Sequence, residues 1–265
     1  MKKLKMIAQK YHSVKALSST GISTLLTETA SKFKLKFIDG VQEQKACYTL
    51  GSAFHSLVLE PDNFDNEFLV TNLDARPKAF KELVSQNSDK TILKQSDFEA
   101  VKLMRHSIMN NPTAAKLLNH DGEAEGSYFW KDKLTGTKCK ARLDKLIPDY
   151  KGKIVVVDLK TTADASATGF EKSMANFGYH RQAAWYSHAV ANNMGESPAL
   201  YIIIACEKTP PYDNACYIIS REAIKTGWDE CRQAIDIYKK CIAAESWPGY
   251  LEGLTELQLP RWYKS

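Results

Sequence analysis

The stretch KCKARLDKLIPDYKGKIVVVDLK, residues 138–160, holds two runs of β-forming residues around one turn. Residues 138–147 and 153–159 are the runs, and DYKG at 149–152 supplies the turn chemistry between them. A connection this short makes the two strands antiparallel neighbours. Residues 154–157 are apolar without a break, as expected of a strand covered on both faces. Upstream, AEGSYFWK at 124–131 reads as a third strand, set off by LTG at 134–136.

Further out the periodicity changes. Ser18, Ser19 and Thr20 ahead of Ile22, Leu25 and Leu26 predict a capped helix. A second helix is expected over about 46–60, with Leu50, Phe54, Leu57 and Val58 on one face and Pro61 ending it. Residues 62–95 give no clear pattern. Ser96 is placed to cap a helix running through Met109 on an apolar face of Phe98, Val101 and Ile108. After the three strands come a helical stretch at about 168–194, strands at 199–206 and 214–220, and a long helix at about 221–244. The fold class is therefore α/β (α+β), a central mixed β-sheet flanked by helices. A single domain is expected over 1–265: a helical part to about 120, a sheet core at about 121–220, then the last helix and a tail.

With 44% hydrophobic and 25% charged residues the chain has an ordinary globular composition. Its longest apolar run, 199–206, falls far short of the roughly 20 residues a membrane helix needs. The basic N-terminus lacks the apolar segment of a signal peptide, so a cytoplasmic location is expected, with no membrane partner. Six cysteines, at 47, 139, 206, 216, 231 and 241, form no CxxC pair and read as reduced structural thiols. Residues 1–40 carry eight lysines against two acids, a net +6 within a chain of +5. That suits a polyanionic partner, though a solvated lysine-rich segment has the same composition.

Asp158, Leu159 and Lys160 end the most apolar strand, and side chains two apart project from one face. A hairpin brings Asp144 of the preceding strand beside Asp158. Two carboxylates and the Leu159 carbonyl make a hard oxygen site suited to Mg²⁺, with Mn²⁺ as a substitute. A lysine beside it can position a water and neutralise a phosphorane. The plain alternative is a structural Asp–Lys pair, since D-x-K is a common tripeptide.

The trio Asp144, Asp158 and Lys160 resembles the PD-(D/E)xK nuclease signature, and its surroundings resemble the RecE-type exonuclease VIII nuclease domain, in the RecB-like branch. GSAFH at 51–55 resembles that branch's G-x-A-x-H element, and EGSYFW at 125–130 with TG at 135–136 and CKARLD at 139–144 resembles its first strand pair. DLKTT at 158–162 resembles the catalytic strand and QAAWY at 182–186 the Q-x-x-x-Y helix. The likeness runs from about residue 18 to about 220. The interval from Asp144 to Asp158 is a little long for the branch, which implies an extended hairpin around 148–153.

The resemblance implies His55 as a further metal ligand beside Asp144, Asp158 and the Leu159 carbonyl. Gly51, one turn before His55, would let the helix approach the sheet. It implies Glu125, in preference to Glu123, as a carboxylate near the metal. Gln182 and Tyr186, four apart on one helical face, hydrogen-bond a phosphate, or orient Lys160, or simply pack. Arg142 either contacts the scissile phosphate or pairs with a carboxylate, and Thr161 completes the expected DNA contacts. The implied activity is a Mg²⁺-dependent exodeoxyribonuclease on linear double-stranded DNA, running 5′→3′ in phage or prophage DNA recombination. A toroidal homotetramer and a single-strand annealing recombinase as partner are implied with it. Two other readings stand beside it. One is a CRISPR-associated RecB-like nuclease with an Fe–S cluster, which needs closely spaced cysteines. The other is a non-catalytic DNA-binding module of the same fold.

Overall fold

The computed structural model describes residues 8–41, 48–73, 78–250 and 253–259. The sheet contains β3 (Glu123–Lys131), β4 (Lys138–Ile147), β5 (Val155–Thr162), β6 (Leu200–Glu207) and β7 (Asn214–Ile218), in that spatial order. Neighbours β3–β4, β4–β5 and β6–β7 are antiparallel, while β5 and β6 are parallel. Two strands precede these, β1 (Phe68–Thr71) and β2 (Thr91–Lys94), paired in parallel as a small separate sheet. The six principal helices are α1 (Ser19–Thr27), α2 (Tyr48–Leu59), α3 (Gln95–Asn110), α4 (Ala167–Phe177), α5 (Tyr179–Met194) and α6 (Arg221–Ala244).

Alternation along β5 and β6 divides the apolar side chains between two cores. Val155, Val157, Leu159, Ile202 and Ile204 join Phe54 of α2 and Val101, Met104 and Ile108 of α3. Val156, Tyr201, Ile203 and Ala205 join Ile22 of α1, Trp185 of α5 and Ile235 of α6. The unbroken apolar run thus serves both faces of a covered sheet, and each such buried side chain contributes about 1.5–3 kcal/mol.

The expected strand positions hold within two or three residues, and so do α1, with Ser18 accepting the Gly21 amide, and α6. Two local expectations do not. The stretch at 168–194 is two helices, because Gly178 adopts φ +69° between α4 and α5, a conformation only glycine takes without strain. Helix α3 begins one residue before Ser96, after Lys94, with no side-chain cap. The unassigned stretch contains β1, β2 and a helix at Lys78–Gln86. Cys47, together with Lys2, Lys3 and Lys5 of the basic N-terminal segment, lies outside the described residues. Within that segment, Lys32 and Lys36 face Glu28 and Lys34 faces Asp39, so these three ammonium groups are already paired.

Candidate active site

Asp144 occupies a double interruption of the sheet. Its ladder with β5 consists of Lys145↔Val157, Leu146↔Val156 and Ile147↔Val155, and stops before Asp144 and Asp158. The Leu159 amide donates instead to Asp144 Oδ2 at 2.7 Å. On the other flank, Ala124↔Lys145 and Gly126↔Leu143 are paired while Glu125 between them stands at φ +53°. A non-glycine residue in the left-handed region carries strain. Here that strain turns the Glu125 side chain out of strand alternation and toward Asp144.

One ligand atom each from His55, Glu125 and Asp144 falls within 4.8 Å of the others. His55, on α2, has Nδ1 3.3 Å from Asp144 Oδ2. Gly51, one turn earlier, would bring a Cβ only to ordinary contact, 3.7 Å from Thr161 Oγ1. The close approach of α2 to β5 is real, but glycine is not sterically required for it, and Thr161 faces that helix. Asp158 is 1% exposed and meets the Lys160 ammonium in a close ion contact. Lys160 also donates to the Leu159 carbonyl at 3.3 Å and lies 5.2 Å from the centre of the Tyr179 ring. Arg142 pairs with Glu125 through Nε and has a terminal nitrogen 3.9 Å from Glu60 at the end of α2.

The electrostatics follow from crowding acids in a dry place. Burial and then the neighbouring Asp158 push Asp144 up to about 7. Burial and then Asp144 push Glu125 up to about 7 against the pull of Arg142. Burial, then Lys160, lowers His55, leaving a neutral imidazole able to ligate a cation. For Lys160 burial works downward, but Asp158 and Asp144 outweigh it and hold the ammonium charged. Carboxylates, a neutral imidazole and a nearby backbone carbonyl form a donor set that fits a divalent cation, whose charge would relieve the two raised acids.

Gln182 and Tyr186 bond each other, Nε2 to hydroxyl at 3.0 Å. Tyr186 is buried in the α5 core, with its phenol pushed well up by burial and by Tyr11, Asp158 and Asp144. It therefore backs the carboxylates rather than presenting a surface. Glu123 accepts from the Tyr128 hydroxyl at 2.7 Å and is not one of the three clustered ligands.

The alternation rule does not reveal three further groups. Tyr179 caps Lys160, Glu60 faces Arg142, and buried Lys140 donates to the carbonyls of Tyr11, His12 and Val14. Only the spacing of Tyr179, three residues before Gln182, carries a signal, since it places both on one helical face. Cys139, Cys206 and Cys231 are each pushed up to about 12 by burial, as structural thiols are. Among the described residues no cysteine joins a candidate metal cluster.

A candidate exonuclease from Eubacterium rectale superposes with a TM-score of 0.70 over 97% of this chain and 96% of its own, at 15% identity. That likeness establishes a common fold. A phage-related exonuclease from Haemophilus somnus 129PT aligns over 87% of this chain and 96% of its own, at 13% identity and a TM-score of 0.40. An alkaline exonuclease from Laribacter hongkongensis aligns over 90% and 99%, at 10% identity and 0.35. Both overlaps are too loose to bear on this chain. Curated protein sequences return no match. The profile of the PDDEXK-like domain of unknown function (DUF3799) matches residues 18–258, and with nearly the whole chain matched the protein belongs to that family.

Proposed function

We propose that this chain is a divalent-metal-dependent deoxyribonuclease, using Mg²⁺ with Mn²⁺ as a substitute, that degrades linear double-stranded DNA from its ends. The observation that carries the reading is the convergence of His55, Glu125 and Asp144 beside the buried Asp158–Lys160 pair. Membership of a PDDEXK-like family supports it. A 5′→3′ direction, a role in phage recombination with an annealing partner and a toroidal tetramer belong to the same reading through the sequence resemblance.

His55, Asp144, Asp158 and the Leu159 carbonyl are the ligands we assign, with Glu125 beside them. A bound divalent ion supplies Lewis acidity toward a phosphoryl oxygen and lowers the pKa of a bound water. Lys160, held against Asp158 and the Leu159 carbonyl, orients the attacking water and offsets charge on the phosphate. The water oxygen bonds to phosphorus and the P–O3′ bond breaks, leaving a 5′-phosphate and a 3′-hydroxyl. Arg142, fixed between Glu125 and Glu60, sits where it can turn a donor toward the phosphate. Gln182 and Tyr186 support the carboxylates from behind.

The test is incubation of end-labelled linear duplex and closed circular duplex with the full chain in Mg²⁺. Nucleotide release from the linear form alone, stopped by EDTA, is expected. Cleavage of circles would make it an endonuclease, and no Mg²⁺-dependent release from either form would overturn the reading.

A further inference from the structure

Most large aromatic side chains of the described structure are at least partly buried, but Phe177 is 66% exposed. A single exposed apolar residue is ordinary on a protein surface. Phe177 differs in what lies behind it. Its ring stacks on Tyr179 with centroids 5.7 Å apart and planes 29° from parallel. Tyr179 stacks in turn on Phe170 at 5.8 Å, and Phe170 on Tyr217 at 5.3 Å and 12°. The Tyr217 hydroxyl donates to the Ala165 carbonyl at 2.6 Å, which anchors the far end of the column. The turn at Gly178, φ +69°, folds residues 177 and 179 back onto each other. The second ring of this column, Tyr179, is also the group that caps Lys160, whose ammonium is 5.2 Å from its centroid.

A flat, rigidly backed aromatic face one ring away from the lysine of a phosphodiester site matches one ligand chemistry well. We propose that Phe177, backed by Tyr179, is a stacking platform for a nucleobase of the DNA strand whose phosphate lies at Lys160. Every base presents a π face, so such a platform accepts any sequence, as a nuclease acting progressively along DNA requires. Stacking on Tyr179, which is itself stacked on Phe170, holds Phe177 in advance, so little side-chain freedom is lost on binding. The proposal rests on the nuclease reading above and adds to it the place where a base next to the cut is held.

The experiment uses the full chain with Asp158→Asn to prevent cleavage, and linear duplexes carrying 2-aminopurine at successive terminal positions. Fluorescence titration gives affinity and stacking together. At one position the fluorescence is expected to be quenched on binding. Phe177→Ala abolishes that quench and weakens binding about tenfold, the size of one base stack, while Phe177→Trp retains both. Because Phe177 is exposed, the melting temperature of each variant should match its parent, which separates lost stacking from lost fold. Undiminished quench and affinity in Phe177→Ala would overturn the platform, as would a failure to bind DNA. Hydrolysis by the wild-type chain on the same duplex is scored separately, so the platform can fail while the nuclease reading stands, and the reverse.

Discussion

Asp144 shows how a single side chain can be destabilising in the fold and still be kept in place. Its folded value of about 7 lies above the ordinary carboxylate value of 3.8, because burial and Asp158 disfavour its charge. The folded chain therefore holds a proton that the unfolded chain releases across that interval. Stability from this group is present at low pH and lost as pH rises through about 7. An asparagine side chain in its place cannot ionise, so in EDTA Asp144→Asn should melt higher than wild type at pH 8 by a few degrees, about 1 kcal/mol. At pH 5 the gap should shrink. His55, lowered by burial, loses stability as pH falls, in the opposite sense; removing the Asp144 charge 3.3 Å from its Nδ1 makes that loss no smaller in the variant, so the gap still shrinks toward pH 5. A gap of equal size at both pH values, measured by thermal melts, would contradict the crowding of acids around Asp144. At this scale Asp144, Asp158 and Lys160 were legible because strand alternation places them. Glu125 was reachable only through family likeness, since φ +53° breaks the alternation that would otherwise locate its side chain. Lys140 was not legible, because its three carbonyl partners lie more than 120 residues away in sequence.

Among the elements, β4 and β5 were plain in the sequence because dense β-formers flank a marked turn. That turn closes through Tyr150 and Lys153, which exchange backbone hydrogen bonds, with the Gly152 amide donating to Asp149. Helix α6 was equally plain from its length and periodicity. The break at Gly178 was hidden because one glycine in a helical pattern is usually tolerated. The parallel pairing of β1 with β2 was hidden because each strand has only four residues, too few to show a period. Helix packing supplies a sharper test. Gly227 lies inside α6, where helix propensity alone favours alanine by about 1 kcal/mol. A Cβ there would stand 2.3 Å from the His180 carbonyl oxygen of α5. The two backbones touch at this point, and overpacking of this kind costs about 1–3 kcal/mol. Gly227→Ala should therefore lower the urea midpoint with an unchanged m-value. A midpoint at or above wild type would mean that α5 and α6 are not in such close contact.

For the molecule as a whole, the mixed sheet with helices on both faces was legible from element order, and membership of a PDDEXK-like family agrees with the resemblance carried by five short motifs. The overall charge was a poorer guide, because Lys32, Lys34 and Lys36 are paired with acids of their own segment. Among the described residues no helix is long and apolar enough to cross a membrane. What the whole arrangement accomplishes is to part three strands at one point and gather donors from β3, β4, β5 and α2 into the gap. The central claim is that this gap cuts DNA, and Asp158 is its most buried acid. The most direct measurement compares Mg²⁺-dependent nucleotide release from linear duplex by wild type and by Asp158→Ala. Loss of about 4 kcal/mol of transition-state stabilisation, roughly a thousandfold in rate, is the predicted result. Equal release by both proteins would contradict the account.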